Sequence, residues 1–144
     1  MKMVTTSIDI AADPARIWAI LTDFAAYPGW NPFITSASGV PEVGQRLAIR
    51  VAPPGGKPMT FRPRVLAAEP GRHLRWKGRL LMPGLFDGEH DFRIETQNGG
   101  TRLHHGERFS GLFVAMTGAA SFRQIEQGFE AMNRALKARA EGGT

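Results

Sequence analysis

Two histidines and a glutamate, His90, His105 and Glu107, are the residues of this 144-residue chain whose types and spacing can do chemistry together. His90 alternates in phase with Phe92 and Ile94, while His105 and Glu107 share a phase with Leu103 and Phe109. In extended strands that period of two places each polar group on the face of its apolar partners. Trp76 falls in phase with Leu74, on a strand expected beside that of His90. The four side chains are therefore expected to converge on one wall of an apolar interior. A buried polar group left without a partner costs roughly 1–3 kcal/mol. These groups must satisfy one another, reach solvent at a mouth, or meet a hydroxyl or carbonyl of a ligand.

If the cluster is catalytic, His90 or His105 is the candidate general base and Glu107 the group that tunes it. An imidazole with an ordinary pKa near about 6.5 is poised for proton transfer at neutral pH. Such a base in a shaped pocket suits the cyclisation or dehydration of an enolisable substrate. Two His and one carboxylate are also a known metal-ligand set, but no close His spacing on one helix supports a metal, and none is expected, nor any cofactor. No Gly-x-Ser-x-Gly elbow and no Gly-rich phosphate loop is found, which removes two common reaction classes.

The elements that must position these residues follow from periodicity and punctuation. Val4, Thr6, Ile8 and Ile10 alternate as a strand. Asp13-Pro14 starts a helix, with Asp13 as N-cap and Pro14 at the first helical position, and Ile17, Trp18, Ile20, Leu21 and Phe24 form its stripe. Tyr27-Pro28-Gly29 stops or bends that helix, and Trp30-Asn31-Pro32-Phe33 follows as an aromatic corner. Strands are expected at 33–38, 46–52 and 59–65, with Pro63 better suited to an edge or bulge than to a strand centre. Further strands are expected at 72–81, 90–95 and 101–109, the last two joined by the hairpin signal Asn98-Gly99-Gly100. From Leu112 to about Ala140 the spacing predicts one amphipathic helix of about 40 Å. Its stripe is Phe122, Ile125, Phe129, Met132 and Leu136, continued backwards by Phe113 and Met116. Gly118 within it would mark a kink or hinge, or a point of close packing. The fold class expected is α+β, a curved antiparallel sheet with the last helix laid across it.

A hydrophobic content of 42% and a charged content of 22% are those of a soluble globular protein, expected here as a single domain over 1–144. The first six residues lack the apolar core of a signal peptide, and no run is apolar enough to span a membrane. Absence of Cys excludes disulfides and thiol chemistry and fits a cytoplasmic location. The net charge of +5 is dispersed. Arg62, Arg64, Arg75, Lys77, Arg79, Arg93, Arg102 and Arg108 take the outward strand phase with Asp91 and Glu95, without the outward aromatics of a nucleic-acid platform. Cross-strand ion pairing is the simpler expectation, and no nucleic-acid partner is expected.

Ile8-Asp9-Ile10-Ala11-Ala12-Asp13-Pro14-Ala15-Arg16-Ile17-Trp18 resembles the opening of the START-like superfamily, also called SRPBCC. So do Leu21-Thr22-Asp23-Phe24, Tyr27-Pro28 and Trp30-Asn31-Pro32-Phe33. Glu69-Pro70-Gly71-Arg72-His73-Leu74-Arg75-Trp76, and Gly99-Gly100-Thr101-Arg102-Leu103 with Glu107 and Gly111, resemble its middle and late strands. The subgroup it most resembles is the polyketide cyclase/dehydrase and lipid-transport-like proteins. That resemblance implies a helix-grip fold: seven antiparallel strands curled around a long C-terminal helix, two short helices between strands 1 and 2, and a cavity for lipids, polyketides or other apolar molecules. Lining residues expected on this basis are Phe61, Trp76, His90, Phe92, His105, Glu107 and Phe109 from the strands. Leu85 and Phe86 are expected from a mouth loop, and Phe113, Met116 and Phe122 from the helix. The function expected is binding of a small hydrophobic ligand by a monomer or homodimer. The alternatives are a cyclase- or dehydratase-type enzyme, and a protein-interaction module like the chaperone co-regulators, which would show a large exposed apolar patch rather than a cavity.

Overall fold

A computed structural model describes residues 1–80, 84 and 86–142, with only the backbone described at Leu80 and Phe86. The order is β1 (Lys2–Ile10), α1 (Pro14–Thr22), a 3-10 helix (Phe24–Gly29), β2 (Ile34–Ser38), β3 (Ala48–Val51), β4 (Met59–Phe61) and β5 (Arg64–Glu69). There follow β6 (His73–Leu80), β7 (Phe86–Gln97), β8 (Gly100–Ser110), a 3-10 turn (Val114–Met116) and α2 (Ala119–Gly142). Five antiparallel strands form one sheet in the order β1-β8-β7-β6-β5, and β2-β3-β4 form a second. Among the described residues no helix is long and apolar enough to cross a membrane.

Among the described residues the seven strands expected are eight, in two sheets, and Pro63 is the reason. Proline has no N–H to give to a ladder, so the run expected as one strand over 59–65 breaks into β4 and β5, which belong to different sheets. The buried Pro63 carbonyl still accepts from Leu47 N at 2.8 Å, and Val65 N donates to Gln45 O at 2.9 Å. These bonds stitch the segment ahead of β3 to β5. With bulges in β2 and β5, they bend the two sheets into one curved surface.

α1 starts as its sequence requires: the Asp13 side chain accepts from Arg16 N at 2.8 Å and Pro14 takes the first turn. Tyr27 in the following 3-10 helix is fully buried and donates its hydroxyl to Leu21 O at 2.6 Å. The last helix corrects the sequence reading at its start. It begins at Ala119, not Leu112, because the chain turns tightly over 114–116 and Thr117 is extended, with φ −83° and ψ 128°. Gly118 lies ahead of the first turn in open space and marks no kink. Met116, 79% exposed, points to solvent.

Beyond that point the stripe behaves as the spacing predicts. Phe122, Phe129, Met132, Leu136 and Ala140 are buried on the sheet. The far end of α2 is fastened to the end of β1: Lys137 Nζ donates to Asp9 O at 2.8 Å, and Ala11 N donates to Glu141 Oε2 at 2.8 Å. Midway, Gly128 is buried against the Phe33 ring, where an added Cβ would overlap the ring, and Phe33 in turn meets Phe129 edge-on at 5.3 Å. Replacing a helical Gly by Ala ordinarily gains about 1 kcal/mol. Here Gly128→Ala is expected to lose about 1–3 kcal/mol by overpacking, read as a lower midpoint in urea with an unchanged slope.

Candidate functional site

Between α2 and the curved sheets lies a cavity of about 390 Å³. Ile49, Val51 and Phe61 of the smaller sheet wall one side, and Trp76, Phe109 and the alternating polar positions His90 and Glu107 wall the other. Ile125 and Ser121 face it from α2, and Phe113 and Thr117 from the segment before that helix. Its floor is a pair of glycines, Gly78 of β6 and Gly88 of β7, directly opposite each other in the ladder. Neither carries a side chain to fill the space. A Cβ at Gly88 would overlap the Glu107 carboxyl, so that glycine is what lets Glu107 lie across β7 toward His90.

The three residues singled out from the strand phases are joined by hydrogen bonds. Glu107 Oε1 is 3.0 Å from His90 Nδ1, and His90 Nε2 is 2.7 Å from His105 Nε2. From there the chain leaves the cavity wall: His105 Nδ1 is 2.8 Å from Asn133 Oδ1 of α2, and Asn133 Nδ2 is 2.9 Å from Thr6 Oγ1 of β1. Thr6 Oγ1 closes the run by donating to His105 O at 2.7 Å.

Aromatic rings fix the imidazoles. His90 stacks on Trp76 with centroids 5.1 Å apart and planes 16° from parallel. His105 lies between Phe92, at 4.4 Å, and Phe129, at 4.3 Å, both close to parallel. Only 1% of His105 is exposed. Burial pushes its pKa well below the ordinary 6.5, and the nearby His90 adds to that, against the opposing Asn133 hydrogen bond. His105 is therefore neutral, and both its ring nitrogens are engaged by protein groups, which removes it as a base for a ligand. Glu107, its side chain 18% exposed, and His90 are the members at the cavity surface. Among the described residues no group of three or more His, Asp or Glu is arranged to hold a metal ion.

Of the other residues expected to line a cavity, Phe61, Trp76, Phe109 and Phe113 lie on its surface. Phe92 and His105 sit behind that wall, and Phe122 packs on Phe109 at 5.3 Å outside the lining. Met116 is at the protein surface. Leu85 falls outside the described residues, as does the side chain of Phe86. Sequence reasoning missed Gly78 and Gly88, and it missed Asn133 and Thr6. A signal for Asn133 existed: it occupies a core position of the helical stripe, four residues after Phe129 and three before Leu136. On the outer face Asp91 accepts across strands from His73 and from Arg75 at 3.1 Å, and along its own strand from Arg93 at 3.1 Å.

A family model described as "Polyketide cyclase / dehydrase and lipid transport" matches residues 1–141. No curated protein matches the chain. Among solved structures it is similar to a START superfamily protein from Mycobacterium smegmatis, at 23% identity and a TM-score of 0.77 over 99% of both chains. It is also similar to the Aha1 dimer from Colwellia psychrerythraea, at 22% identity and 0.73, covering 100% of this chain and 99% of that one. The di-domain ARO/CYC StfQ from the steffimycin biosynthetic pathway gives 17% and 0.73, covering 98% of this chain and 51% of that one. At these identities the solved structures speak for the fold.

The buried neutral His105 has a consequence for stability. Its folded pKa lies below the unfolded value of 6.5, so on acidification the unfolded chain takes up a proton that the folded chain refuses. The contribution is present in full above about 6.5 and is lost as pH falls from there toward the folded value. The unfolding free energy is expected to drop between about pH 6.5 and 5 with a slope approaching 1.4 kcal/mol per unit. His105→Gln, which keeps a donor toward Asn133, removes that slope in urea titrations run across the same range.

Proposed function

The chain belongs to the polyketide cyclase / dehydrase and lipid transport family, and on that premise we propose that it binds a small, largely apolar molecule in the cavity between α2 and the sheets. The observation that carries this reading is the cavity itself. Its volume of about 390 Å³ falls in the range of small-molecule sites, and its walls have the usual composition of such sites: apolar and aromatic, with a few convergent polar groups. Transfer of a ligand's apolar surface from water supplies the affinity, and Glu107 with His90 supplies a point of orientation at one end.

The same pair supports a second reading. A carboxyl 3.0 Å from an imidazole on the cavity wall is the arrangement needed for general acid–base chemistry on a bound molecule, such as a cyclisation or dehydration.

Organic extraction of the purified protein followed by mass spectrometry tests the binding reading directly, and a stoichiometric apolar molecule is the expected result. Ile125, half-buried on the cavity side of α2, gives a second test. Ile125→Trp fills the space and is expected to weaken binding of 1-anilinonaphthalene-8-sulfonate by about tenfold or more, a loss of about 1.4 kcal/mol, with the circular dichroism of the fold retained. Undiminished binding in that variant would place the probe elsewhere and remove the proposal's support.

A further inference from the structure

We infer that the polar chain from Thr6 through Asn133, His105 and His90 to Glu107 has one fixed direction. It leaves a single shared proton on the His90–Glu107 pair and a bare carboxyl oxygen facing the cavity, a receptor for a ligand's hydroxyl donor. This deepens the binding proposal and rests on it.

The direction is set at the end farthest from the cavity. A backbone carbonyl can only accept, so the Thr6 hydroxyl, 2.7 Å from His105 O, must donate its one proton there. Its oxygen is then free to accept, and the group 2.9 Å away must be the donating amide nitrogen of Asn133. That settles which way the Asn133 amide points. Its carbonyl oxygen faces His105 Nδ1 at 2.8 Å, so Nδ1 carries the hydrogen. Buried between two phenylalanine rings, His105 holds no second proton, which leaves its Nε2 a bare acceptor. His90 Nε2, at 2.7 Å, must therefore donate.

The last link follows. A carboxylate cannot face a bare imidazole nitrogen at 3.0 Å without setting one lone pair against another. One proton lies between His90 Nδ1 and Glu107 Oε1, as imidazolium with carboxylate or as imidazole with carboxylic acid. Both descriptions hold the same number of protons. In both, Glu107 Oε2 makes no hydrogen bond among the described residues, and it lies over the glycine at position 88. It is an acceptor. The chemistry that satisfies it is an O–H donor, a phenol or an enol, on a molecule held in the cavity against the Glu107 carboxyl. A ligand offering only ether or carbonyl oxygens would put acceptor against acceptor.

Asn133 and Thr6 touch no ligand in this scheme; they are positioning residues that act through the imidazoles. The titratable groups along the run are His90 on β7 and His105 and Glu107 on β8. β1 and α2 contribute the non-titrating Thr6 and Asn133, and β6 contributes Trp76.

Two measurements on the full chain test the inference. Long-range proton–nitrogen NMR of the histidine rings at neutral pH is expected to show His105 protonated at Nδ1 only and His90 protonated at Nε2. A His105 protonated at Nε2 would overturn the direction of the chain. Thr6→Val removes the anchoring hydroxyl at equal size and is expected to leave His105 in a mixture of tautomers. An unchanged single tautomer would show that the anchor is not needed, against the inference. For the receptor, equilibrium dialysis compares 2-naphthol with 2-methoxynaphthalene, which differ in the donor alone. The naphthol is expected to bind about tenfold or more tighter to the native chain, a difference of about 1.4 kcal/mol, and about equally to Glu107→Leu. Equal binding to the native chain overturns this inference and leaves the cavity standing. Binding of neither overturns the receptor together with the cavity reading, and the NMR result still judges the direction of the chain.

Discussion

The structure depends on one polar string crossing an otherwise apolar interface. Asn133 ties α2 to β8 through His105 and to β1 through Thr6, so three elements distant in sequence meet at one side chain. In a low-dielectric interior each of these bonds is strong, and each broken one leaves a group whose desolvation is unrecovered. The string therefore sets the rotation of α2 on the sheet. An apolar stripe alone would tolerate some slippage, because hydrophobic burial has no direction. A buried amide with two fixed partners does not. With Asn133 turned inward, Phe129 comes to rest on His105, and Ile125 and Ser121, one and two turns earlier, face the gap that becomes the cavity.

The helix is thus divided by function along its length. Its C-terminal half buries Met132, Leu136 and Ala140, and Lys137 and Glu141 fasten it to the end of β1. Its N-terminal half turns Ser121 and Ile125 to the cavity while Phe122 packs on Phe109. Two features of the sheet hold that space open. Pro63 diverts the chain so that β4 and β5 lie in different sheets and the surface curves away from the helix. Gly78 leaves the floor without a side chain, and Gly88 leaves room for the Glu107 carboxyl. Packing is dense where side chains interlock and absent where three sequence choices forbid it, so the cavity is built in by those choices.

Much of this was legible from local pattern. Period-two alternation put His90, His105 and Glu107 on inner faces, and their meeting required only that β7 and β8 pair, which Asn98-Gly99 specified. The capped start of α1 and the stripe of α2 were equally plain. What escaped was whatever depended on a neighbour far along the chain. A glycine opposite another glycine looks like any other glycine until the register is known. Thr6 passed as one more residue on an apolar strand face, although its hydroxyl has work to do on β8. The helix start was misjudged because Phe113 and Met116 extend the apolar spacing at no cost to the pattern. Thr117 and Gly118 end it through backbone geometry that periodicity does not see. His105, nominated as a possible base, turned out to be too well satisfied for that task, a fact carried by the two flanking rings and by Asn133.

The string is closed at one end and open at the other. A network that exists only to hold a fold together closes on itself, since every open valence in the interior is a cost. At the Thr6 end this one does close, on a backbone carbonyl that cannot pass polarity any further. At the Glu107 end it does not. The carboxyl is carried to the cavity surface, over a glycine whose absent side chain makes room for it, and its second oxygen makes no hydrogen bond among the described residues. Glu107 pairs with the buried His90 through one oxygen only. The open end lies on a mostly apolar wall, so the one polar string of the interior ends at the cavity.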